Sequence, residues 1–189
     1  MPMMLLGLVL FLGTHVVTSL PGVRAGLIAQ VGAGPYKGFY SLLSASGLLL
    51  TAYGFGLWRA AGPADLWHPP LGMRHATMGL MLLACIALVA AYVPSHVKAK
   101  LKHPMLVGVK IWALAHLLSN GDAASIVLFG SVLAWAVYDR ISVKRRGVPL
   151  AVAPKGWGGD AAAVAGGVAL YLFLIFVFHP LVVGVPVMG

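Results

Sequence analysis

Charged residues are absent from positions 1–23, 38–58, 76–97, 111–121, 123–138 and 161–189, and apolar side chains dominate every one of these runs. A helix needs about 20 mainly apolar residues to cross a hydrocarbon core of about 30 Å, and several of the runs supply that length unaided. With 13 Lys and Arg and 4 Asp and Glu among 189 residues, the chain has too little charge to clothe a soluble domain of its size. The expected fold class is all-α: a polytopic membrane helix bundle with spans near 3–20, 37–60, 73–95, 104–120, 122–140 and 161–186. Lys110 interrupts the fourth span one to two turns from its edge, where a lysine can snorkel to the interface.

Positive charge tests this count. With six spans, Arg24, Lys37, Lys98, Lys100, Lys102, Arg140, Lys144, Arg145, Arg146 and Lys155 all fall on one side, and only Arg59 and Arg74 on the other. Basic residues mark the cytoplasmic side, so both termini are expected to be non-cytoplasmic. Five or seven spans would scramble this asymmetry. The net charge of +9 is dispersed over helix ends, which suits anionic membrane lipids and argues against nucleic acid as a partner.

The connecting stretches are too short to fold separately, so residues 1–189 are expected to form a single transmembrane domain. GVRAGLIAQVGAGP (22–35) predicts a short interfacial helix ended by Gly32 and Gly34, and residues 141–160 predict a surface loop or hinge. The N-terminus lacks a basic leader and a small-x-small cleavage pattern, and is expected to be retained as the first span. The single cysteine, Cys85, lies in an apolar span and is expected to be a small buried hydrophobe.

Two histidines break the apolar pattern where it is deepest. His15 lies about 12 residues, roughly 18 Å, from the outer end of the first span, and His116 the same distance from the inner end of the fourth. The helices run in opposite directions, so the two imidazoles are expected within roughly 6 Å of one height, near mid-membrane. Trp112 and Asn120 share a helical face with His116, as do Ala113 and Ser119, while Thr18 and Ser19 follow His15. Taken singly, each histidine is equally well explained by packing or hydrogen bonding within the bundle. Taken together they suit a group that needs two protein ligands. Zinc and copper sites ask for three or four, and the spans offer almost no carboxylate or thiolate to complete such a set. Haem iron asks for two axial ligands, and without a CxxCH motif the haem would be a non-covalent haem b held by His15 and His116.

The segments GTHVVTSLPGVR, GPYKGFYSLLSASGLLL, KHPMLVGVKIWALAHLLSNGDAASIVLFG and FHPLVVGV together resemble the NnrU family of bacterial inner-membrane proteins. The resemblance extends over nearly the whole chain and is most specific from His103 to Gly130. It implies an inner-membrane, multi-pass location and a link to nitric oxide and nitrite metabolism in denitrification. The family's relatives include zeta-carotene cis-trans isomerases, which are haem b enzymes, and their haem-binding histidines match His15 and His116. Those of plants carry a cysteine three residues before the second ligand, where this chain has Ala113, so a ligand exchange of that kind does not carry over.

Three roles follow from the resemblance: a haem protein of denitrification that binds nitric oxide or meets a redox partner, a haem-dependent isomerase of a hydrophobic polyene, and an assembly or transport factor for a nitrogen-oxide reductase. Arg24 and Lys110, on the basic side, are candidates to neutralise haem propionates, and Tyr36 and Tyr40 to line a cavity or join the interfacial aromatic belt. His103 and His179, each followed by proline, are read mainly as capping or kink residues, and His68, His75 and His96 as solvated.

Overall fold

The computed structural model describes residues 1–188, and its helices are α1 (Pro2–Thr18), α2 (Pro21–Val31), α3 (Ala33–Ala60), α4 (Met73–Ala90), α5 (His96–Leu101), α6 (Pro104–Ser119), α7 (Ala123–Arg145) and α8 (Gly158–Phe173). A π-helical segment, Leu174–Val183, continues α8. The starts obey local chemistry. Proline opens α1, α2 and α6, where its missing N–H would have had no partner. Ser95 caps α5 by accepting from the Lys98 N–H, and Asp122 caps α7 by accepting from the Ser125 N–H. Pro180 explains the π register, because it can neither donate to the helical ladder nor tolerate the carbonyl of the preceding turn.

Helices α3, α4, α7 and the continuous Gly158–Val183 stretch are long and apolar enough to cross a membrane. Together, α1 and α2 also pass, but they meet at 95°. At 16 residues, about 24 Å, α6 is shorter than a full span. Four helices, or five with the bent α1–α2 pair, are thus long and apolar enough to cross where six spans were expected, and the two short helices, α1 and α6, carry His15 and His116. Outward faces remain strongly apolar, as at Phe39, Leu42, Leu49, Phe173 and Phe176. A solvated surface would not sustain that pattern, and a lipid-facing one requires it.

Small residues set the packing. A Cβ on Gly7 would fall onto the backbone of Thr51, and one on Gly54 onto that of Met4, so α1 and α3 touch backbone to backbone. Gly167 admits Ile86 of α4 to α8 in the same way, which assigns this glycine to close packing. At the basic end, Asp139 of α7 accepts from Ser19 Oγ (2.6 Å) and pairs with Arg146 (3.6 Å), tying the end of α1 to that of α7. Asp160 of α8 accepts from His96 Nδ1 (2.8 Å) and the Val97 N–H (3.0 Å), fastening α5. At the opposite end, Leu66 and Ala123 exchange backbone hydrogen bonds with Gly121 and Ala64.

Several boundaries differ from the sequence expectation. The short helix α2 ends at Gly32 (φ 85°) alone, and Gly34 lies inside α3, because one left-handed glycine suffices to turn the chain. The third expected span, 73–95, is helix α4, which stops at Ala90, and a separate α5 carries Lys98 and Lys100. The surface segment expected over 141–160 is helical as far as Arg145 and again from Gly158. His96 is not simply solvated: it is bonded to Asp160 and stacked on Trp157 at 4.2 Å. His103 occupies the N-cap of α6 but makes no side-chain capping bond.

Candidate cofactor site

His15 lies one turn from the end of α1, with Nδ1 2.7 Å from the Phe11 carbonyl. A carbonyl can only accept, so Nδ1 is the donor, and in the neutral imidazole Nε2 is the nitrogen left to ligate. Its ring meets Phe11 at 4.4 Å, Trp135 edge-on at 5.3 Å and Tyr40 at 5.6 Å. His116 repeats the arrangement one turn from the end of α6, with Nδ1 2.8 Å from the Trp112 carbonyl. Its ring lies against Phe129 (4.5 Å), Trp112 (5.1 Å) and His179 (6.4 Å). His179 is the third of the kind: its Nδ1 is 2.8 Å from the Leu174 carbonyl, five residues back. Orientation of one ring nitrogen by a carbonyl is the usual support for a histidine that ligates through the other.

Trp112 both orients His116 and packs beside it. Asn120 reaches the same residue differently from the expectation: it has left the helix, and its Nδ2 donates to the His116 main-chain carbonyl at 2.8 Å. Ser119 bonds Thr77 of α4, so this part of the polar stripe joins helices. Arg24, exposed on α2, lies 5.9 Å over the Tyr36 ring and lines a cavity of about 340 Å³ with Thr18, Tyr36, Lys37, Tyr40 and Ser41. That cavity adjoins His15 through Thr18 and Tyr40. Lys110 does not line it, and sits six residues before His116, about 9 Å along α6. Ala113 is fully buried, as is Cys85, which packs against Ala115.

Both predicted ligands pack on α7, His15 at Trp135 and His116 at Phe129, six residues or about 9 Å apart along the axis. Among the described residues, no three His, Cys, Asp or Glu converge on one point, so a metal held here would take two ligands of these types. The residues fit haem in three ways. In both histidines the backbone bond is made by Nδ1, which leaves Nε2 to ligate. The walls are apolar and aromatic. Two buried polar atoms near His15, the Tyr36 hydroxyl and Trp135 Nε1, have no partner in a region that also offers Arg24 and Lys37 to an anionic edge. Sequence reasoning missed Lys37 as part of that edge, and it missed Phe129 and Trp135, which look like ordinary aromatic residues of an apolar run.

A family model described as "NnrU protein" matches residues 3–187. No curated protein and no solved structure matches the chain.

Proposed function

Because the chain belongs to the NnrU family, we propose that it is a haem b protein of the bacterial inner membrane acting in nitric oxide or nitrite metabolism, with His116 and His15 as iron ligands. The observation that carries this is the pair of Nδ1–carbonyl hydrogen bonds at 2.7 and 2.8 Å, which leave two intramembrane Nε2 atoms as donors without a charge to bury. Bound haem would supply a one-electron couple and, with one ligand released, a coordination position for nitric oxide.

The chain's own residues prepare that position. The Phe11 and Trp112 carbonyls hold the imidazoles in one tautomer. Phe129, Trp112, Phe11 and Trp135 surround the rings and exclude water, lowering the local dielectric. Arg24 and Lys37 would give carboxylates a cationic exit toward the basic surface, where a redox partner would also approach, while Lys110, predicted for the same role, does not line that cavity. The test is haem content and spin state in detergent. We expect one haem b per chain and a six-coordinate low-spin spectrum, with haem lost or high-spin in His116→Ala. A wild-type protein free of haem after haem supplementation overturns the proposal.

A further inference from the structure

Helix α2 meets α1 at 95° and, with Leu20 at its N-cap, exposes Leu20, Leu27 and Val31 along one stripe. An exposed apolar stripe of this kind suits a helix lying in the plane of the membrane interface. Arg24 interrupts the stripe at its centre, and its guanidinium turns over the Tyr36 ring at 5.9 Å. Arg24, Tyr36 and Lys37 line one cavity of about 340 Å³, within the range of roughly 300–1,000 Å³ typical of small-molecule sites, and none of its lining residues is acidic. Neither cation is in an ion pair among the described residues. The Tyr36 hydroxyl is buried without a hydrogen-bond partner. A buried donor left unpaired is costly, and this one stands beside two cations, so the cavity calls for an anionic acceptor. The surface next to it is apolar, because α3 exposes Phe39, Leu42 and Leu43 within two turns of Lys37. A soluble anion gains nothing from that surface, whereas an acyl chain covers it.

We propose that this cavity is the headgroup site of an anionic phospholipid, whose phosphodiester is held by Arg24 and Lys37 and accepts a hydrogen bond from the Tyr36 hydroxyl, while its acyl chains cover the exposed faces of α2 and α3. Charge-assisted bonds from a guanidinium and an ammonium are the strong kind, and basic pockets between helices at the cytoplasmic side suit such headgroups. The inference does not rest on the haem assignment, and the several N–H donors of an arginine and a lysine can serve a phosphate beside a carboxylate.

Competition against spin-labelled phosphatidylglycerol, bound to the purified full chain in detergent and followed by electron paramagnetic resonance, tests the site. Unlabelled phosphatidylglycerol is expected to displace the probe at concentrations where phosphatidylcholine and inorganic phosphate do not. Arg24→Gln and Lys37→Gln should each weaken binding about fivefold, and Tyr36→Phe about threefold or more. Lys100→Gln, which removes a cation of α5 outside the cavity, should leave binding unchanged. Thermal unfolding without anionic lipid shows which variants keep the fold, and Tyr36→Phe, lacking only a hydroxyl, carries the test where a cation variant does not. Equal losses in Lys100→Gln and Arg24→Gln would reduce the effect to diffuse surface charge and overturn the site, as would a Tyr36→Phe variant that binds like wild type. Displacement by inorganic phosphate as effective as that by phosphatidylglycerol overturns the lipid in favour of a soluble anion. These outcomes are read without haem, so they leave the haem assignment where it stands.

Discussion

At the scale of single residues, each intramembrane imidazole discussed here has one nitrogen committed to the backbone, so its chemistry is set by a neighbour four or five positions away. His15 and His116 were legible in the sequence because a polar side chain deep in an apolar run needs a reason. His179 was not, since the proline after it suggested a kink and its approach to His116 bridges 63 positions of sequence. Asp139 was overlooked as one of few acidic residues, yet it holds Ser19 and Arg146 together. Asp139→Ala should lower stability by about 1–3 kcal/mol, since it leaves partly buried donors unpaired, and Asp139→Asn by less; thermal unfolding in detergent measures both. Burial, reinforced by the Arg140 charge and opposed by Asp139, holds the His103 imidazole below the ordinary histidine value. The unfolded chain therefore takes up that proton before the folded one does. The contribution to stability is present above about pH 6.5 and lost as the pH falls. His103→Gln should flatten the acid limb of a stability–pH curve between about pH 7 and 5; an unchanged limb would show that another group controls it.

At the scale of helices, the apolar runs were enough to locate every long element, but not their contacts. Charge and hydropathy report where a helix leaves the membrane, whereas packing depends on which small residues face each other. Gly7, Gly47 and Gly54 lie among many glycines, and only the folded chain shows that each meets backbone of the opposing helix. Gly13 meets nothing within 4 Å. Gly47→Leu should therefore separate α1 from α3, with a loss of at least about 1–3 kcal/mol, while Gly13→Ala should be tolerated. Thermal unfolding of the two variants in one detergent distinguishes them, and equal stability would refute backbone contact as the basis of this pair. The same packing fixes α1, and with it the height of His15.

At the scale of the whole molecule, the basic residues and the helix ends agree on one polarity. Ties through Asp139 and Asp160 gather the basic ends, and the Ala123–Ala64 and Leu66–Gly121 hydrogen bonds gather the other. The only cysteine, Cys85, is buried, so introduced cysteines report orientation cleanly. Lys100→Cys should be labelled by an impermeant thiol reagent only from the cytoplasmic side, and Gly62→Cys only from outside; reversed or mixed labelling would refute the polarity. The bundle also carries a basic cavity at one rim, lined by Arg24 and Lys37 beside Tyr36 and Tyr40. The most direct measurement on that arrangement is the absorption spectrum of purified wild-type protein, oxidised and then dithionite-reduced. A six-coordinate low-spin b-type spectrum in the oxidised protein, with sharp reduced bands, is the predicted result, and the absence of a Soret band after haem supplementation would contradict a haem held by intramembrane histidines.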